Sequence, residues 1–116
     1  MIDEKATDLG RLIGQTPEYQ ALRRAEGALR DDPEAQKRLE TISRLTRDFD
    51  QLMAEGKAPE EAQAQQYETT LREFELSVAG QGYLVARANV DKLMTRVNQA
   101  IGQGIERGAT SGIITL

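Results

Sequence analysis

Glu68, Glu75 and Asp91 come nearest in this sequence to a chemical constellation, since three carboxylates projecting from helices into one interior can hold a divalent metal. Helical di-metal sites combine such acids with a Glu-x-x-His spacing, and the 116-residue sequence contains no histidine. The side chain that titrates near neutrality and most often ligates metals is therefore missing. Cysteine is absent as well, which removes thiolate ligands, disulfides and thiol nucleophiles together. The acids then read as solvated surface. No catalytic, cofactor-binding or metal-ligating residue is expected, and the chain is not expected to be an enzyme.

Arginine is the other group that could do chemistry, by gripping phosphates. Arg87, Arg96 and Arg107 lie toward the C-terminus, and Arg38, Arg44 and Arg47 share a middle segment. Affinity for nucleic acid is powered by clustered positive charge, yet 19 acidic residues outnumber 15 basic ones, for a net charge of −4. Three tyrosines and two phenylalanines supply few stacking surfaces, and most fall on apolar stripes. Nucleic acid is not an expected partner, and a nucleic-acid-binding regulator is the alternative reading. Eleven arginines against four lysines favour bidentate pairing with carboxylates instead.

These side chains must be carried by helices. Ile2, Ala6, Leu9 and Ile13 recur at helical spacing, with Leu12 widening the stripe and Gly14 available as a stop. Thr16-Pro17-Glu18 sets a hydroxyl at an N-cap, proline in the first turn and an acid beside the positive helix end. The second helix follows through Tyr19, Leu22, Ala25 and Leu29. Asp32-Pro33-Glu34 repeats the device for a third helix, with Leu39, Ile42, Leu45, Phe49 and Leu52 on one face and Gly56 at its end. Ala58-Pro59-Glu60-Glu61 opens a fourth, less well capped, with the stripe Ala62, Tyr67, Leu71, Phe74 and Val78. The third and fourth helices, joined by a few residues, should form an antiparallel hairpin. Ser77 is a candidate N-cap for the fifth helix, and a kink or tight turn is expected between Ser77 and Gly82.

Beyond that turn, Tyr83, Ala86, Val90, Leu93, Val97, Ala100 and Gly104 are spaced alternately three and four residues apart, with Met94, Ile101 and Ile105 alongside. Such a ladder keeps one apolar seam on one side of a helix. From Ser77 to Arg107 the helix would be about 45 Å long, whereas a compact globule of this size is only about 35 Å across. The seam should therefore meet another chain, and its partner or dimer interface is expected at Tyr83, Ala86, Val90, Leu93, Met94, Val97, Ala100, Ile101, Gly104 and Ile105. The competing reading fills it with the chain's own helices. Asn98 either sets register or faces water. Gly108-Ala109-Thr110-Ser111-Gly112 reads as a linker, so residues 1–107 form one helical domain and 108–116 a flexible tail, ending in Ile114-Thr115-Leu116, a candidate docking peptide.

The acidic opening Met1-Ile2-Asp3-Glu4-Lys5 does not fit an export signal, and no apolar run approaches the roughly 20 residues that span a bilayer. A cytoplasmic protein without membrane insertion is expected. The fold expectation is all-α: a bundle of four to five helices with a central antiparallel hairpin and a long C-terminal helix, dimeric.

Thr16-Pro17-Glu18-Tyr19 with Leu22, Asp31-Asp32-Pro33-Glu34-Ala35 with Leu39, and Tyr83-Leu84-Val85-Ala86 through Val90, Leu93-Met94 and Val97-Asn98 to Ile101 occur here in an order and spacing that resembles the YlbF/YmcA family of bacterial competence and biofilm regulators. The resemblance covers nearly the whole chain apart from its tail. It implies a non-enzymatic helical adaptor that forms a homodimer, a higher oligomer or a hetero-oligomer. A larger protein partner such as a ribonuclease complex is implied too, in control of RNA processing, competence or biofilm-type development. A purely structural homo-oligomer is the simpler alternative. Some relatives bind iron–sulfur clusters through cysteines, and without cysteine no such cofactor is expected here.

Overall fold

Five helices follow one another in the computed structural model, which describes residues 1–114 and their side chains as far as Thr110. They are α1 (Ile2–Gly14), α2 (Pro17–Arg30), α3 (Pro33–Ala54), α4 (Glu61–Leu76) and α5 (Val78–Ile114). The described residues include no strand, and the fold is all-α.

The caps act where the sequence placed them. Thr16 accepts the Tyr19 amide at 3.2 Å through its hydroxyl, and Asp32 accepts the Ala35 amide at 3.1 Å through its carboxylate. Each satisfies a donor that the helix start leaves unpaired. At the end of α3, Gly56 takes φ +73°. The Gly56 amide reaches the Met53 carbonyl at 3.0 Å and the Lys57 amide reaches Leu52 at 2.8 Å, the paired bonds of a Schellman stop. Glu60, at the N-cap of α4, makes no side-chain capping bond.

The hairpin of α3 and α4 is antiparallel. Arg38 meets Glu73 at 3.4 Å, and farther along α3 the Phe49 ring stands edge-on to Tyr67, centroids 5.6 Å apart.

The turn expected across Ser77–Gly82 narrows to a single extended residue, Ser77, at φ −76° and ψ 147°. Its hydroxyl donates to the Phe74 carbonyl at 2.7 Å and accepts the Gly80 amide at 3.0 Å. Gly80 and Gly82 are both helical. A Cβ on Gly80 would overlap the Phe74 carbonyl oxygen, so glycine is what lets α5 start so close to the end of α4. Val78, placed on the α4 stripe by periodicity, instead begins α5 and is exposed, because the break at Ser77 rotates the helical frame.

Two linked cores hold the bundle. Leu29, Ala35 and the fully buried Phe74 form one, with Leu39, Ile42, Ala79, Tyr83 and Leu84 against them. Leu22, Ala86 and Val90 form the other, with Ala25, Tyr83 and Met94 around them. Tyr83 joins the two, its ring edge-on to Phe74 at 6.3 Å.

α5 does not stop at Arg107. It continues through Gly108–Gly112, expected as a linker, to Ile114. No proline interrupts that stretch, and a helix already formed adds one hydrogen bond per further residue. Thr115 and Leu116, the end of the expected tail, lie outside the described residues. Over 37 residues α5 is about 55 Å long, and it dominates a flat molecule of 62 × 38 × 19 Å. The radius of gyration is 19.7 Å, against about 13 Å for a compact chain of this length.

Candidate partner interface

The seam on α5 divides into two halves with different surroundings. α2 lies antiparallel along the first half: Leu29 shares a core with Tyr83, Leu22 packs with Ala86 and Val90, and Glu18 meets Arg96 at 3.4 Å. Ala86, Val90 and Leu93 are buried, while Tyr83, Met94 and Val97 are half-buried. These contacts lie within one chain. The expectation of a partner along the whole seam is therefore narrowed, because three of its positions are already enclosed by the chain's own helices.

From Asn98 to Thr110 every residue is exposed. Ala100, Ile101, Gly104 and Ile105 lie there, with Ile101 45% and Ile105 65% exposed. Val90, Val97 and Gly104 are successive steps of seven, and such positions drift only about 20° per heptad on a straight helix. The bare face is thus the direct continuation of the buried one. It has the same apolar character and lacks a cover among the described residues. Asn98 is exposed, beside that face.

A second uncovered stripe lies on α1, which has no buried residue. Ile2 and Leu12 are exposed, and Leu9 and Ile13 only half-buried. Sequence reasoning identified the helix but not its availability. The signal was present in a short helix with a full apolar stripe and only two residues, Gln15 and Thr16, before the next helix. The corner between α4 and α5 adds Leu76, Val78 and Val85 to the exposed apolar surface.

The groups considered first for chemistry do not converge. Glu68, Glu75 and Asp91 are exposed on α4 and α5, and among the described residues no cluster of three or more acids is arranged to hold a metal. Three of the six arginines pair with acids on the surface: Arg38 with Glu34 and Glu73, Arg87 with Asp91, Arg96 with Glu18. Arg87 also donates to the Tyr83 hydroxyl at 3.3 Å. That bond and the charge of Asp91 hold its guanidinium pKa above the ordinary arginine value, so its charge is fixed. No described helix is long and apolar enough to cross a membrane.

Residues 2–106 match the model of a family described as control of competence regulator ComK, YlbF/YmcA. Among solved structures, the chain is similar to a chain in the X-ray crystal structure of Bacillus subtilis RicA in complex with RicF. The TM-score is 0.67 at 17% identity, over 93% of this chain and 96% of that one. At that identity the likeness is one of fold. No curated protein matches the sequence.

Proposed function

The chain belongs to the YlbF/YmcA family, and from that premise we propose that it is a non-enzymatic helical adaptor, working in the cytoplasm through the distal face of α5. The observation that carries the reading is the exposure of Ile101 and Ile105 on a helix that overhangs its own core. Leaving such side chains wet forgoes roughly 1.5 to 3 kcal/mol apiece. A homodimer or higher oligomer, or a hetero-oligomer with a related helical protein, covers them. The charged outer faces of α3 and α4 then remain free to recruit a larger protein, such as a ribonuclease complex. The process served is control of competence, which the family's description names, or of RNA processing or biofilm-type development.

Light scattering on the purified protein tests this reading. A mass of at least twice 12.9 kDa at tens of micromolar is expected. Ile101→Asp should return it to one chain with helix content unchanged, because a carboxylate trapped between apolar helices costs several kcal/mol. A wild-type monomer that also stays single when mixed with a related helical protein, or an unaltered oligomer in the variant, would reject the proposal.

A further inference from the structure

Two apolar faces are left open in one chain, and their dimensions match. α1 is 13 residues long, and the bare stretch of α5 from Asn98 to Thr110 spans the same number of residues, about 20 Å in each case. The cover that α2 lays on α5 ends at the pair formed by Glu18 and Arg96. Immediately before α2 the chain turns at Gln15–Thr16, and Gln20 fastens that turn by donating to the Gly14 carbonyl at 2.7 Å. α1 is thereby packed on α2, with Ile2 83% exposed.

Resting on the oligomeric reading above, we infer that α1 of one copy lies along the distal face of α5 in a second copy, and the reverse, closing a reciprocal dimer. The shapes fit. α1 offers branched side chains, Ile2, Leu9, Leu12 and Ile13, whereas α5 offers small ones at Ala100, Gly104 and Gly108. Open space surrounds the point where a Gly104 Cβ would stand, so a facing side chain can enter there. Each copy supplies one α1 and one bare face, and a two-fold axis uses both without leaving an open end.

The absence of cysteine makes the test direct. Full-length Ala6→Cys and Ile105→Cys variants, both at exposed positions, are mixed in equal amounts, allowed to exchange subunits and oxidised. The disulfide joining the two different variants should exceed either same-variant disulfide at least fivefold. Dominance of the Ile105→Cys pair with itself would overturn the inference in favour of α5 against α5, leaving the dimer intact. A dimeric mass without any cross-link would overturn it likewise. A monomeric mass would overturn both the inference and the self-association beneath it. As an independent check, Leu12→Asp should weaken dimerisation at least tenfold with helix content retained; an unchanged dissociation constant would count against α1.

Discussion

Arg96 donates to Glu18 at 3.4 Å, and just beyond that pair the described residues cease to cover the longest helix. Before it, α5 is a core helix. Beyond it, the same face with the same apolar spacing lies open. The pair marks this boundary but does little to hold it, because Arg96 is 70% exposed and surface ion pairs contribute at most about 1 kcal/mol. Glu18→Ala should therefore lower stability by no more than about 1 kcal/mol in urea unfolding, with the assembly mass unchanged.

Phe74 should be the most sensitive core position. It is 0% exposed, touches α2 and α3 through Leu29 and Ala35, and sets the position of Tyr83. Phe74→Ala should cost roughly 3 to 5 kcal/mol, read as a lower urea midpoint at unchanged slope. A loss under 1 kcal/mol would show that the corner between α4 and α5 does not depend on that ring.

Gly80→Ala should destabilise, although alanine is the better helix former by about 1 kcal/mol. The added methyl would run into the Phe74 carbonyl, which is backbone and cannot swing aside. A net cost of about 1 to 3 kcal/mol is expected for such overpacking. Gly102→Ala, where nothing stands within 4 Å, should instead raise helix content in circular dichroism.

The caps on α2 and α3 should act independently. Thr16→Ala and Asp32→Ala should each cost about 1 kcal/mol, and the double variant should lose close to the sum, since the sites share no partner. Asp32→Asn should recover most of its loss, because an amide oxygen can still accept the Ala35 amide. Thermal melts of the four variants check this.

Much of the fold was legible because its signals are local. Thr16-Pro17-Glu18 and Asp32-Pro33-Glu34 announce helix starts through side chains that act within three residues, and Gly56 announces a stop through a backbone angle other residues avoid. The hairpin of α3 and α4 followed from the brevity of its connection. The division of the seam could not be read, since Val90 and Gly104 occupy equivalent positions on one helix. What separates them is where α2 begins in space, a non-local fact. Val78 was misplaced for a related reason: the stripe of α4 continues in sequence across Ser77, but one extended residue resets the helical phase. The end of α5 was missed because glycine, alanine, threonine and serine are common linker residues, yet Gly108 and Gly112 stay within the helix, whereas Gly56 leaves it through a positive φ.

The central claim is that the face carrying Ile101 and Ile105 is covered by another chain, and amide hydrogen exchange along α5 measures that cover residue by residue. From Asn98 to Thr110, protection should rise with protein concentration, while amides near Leu22, Phe74 and Val90 stay protected throughout. Rapid exchange of the distal half at every concentration, beside a protected core, would contradict the account.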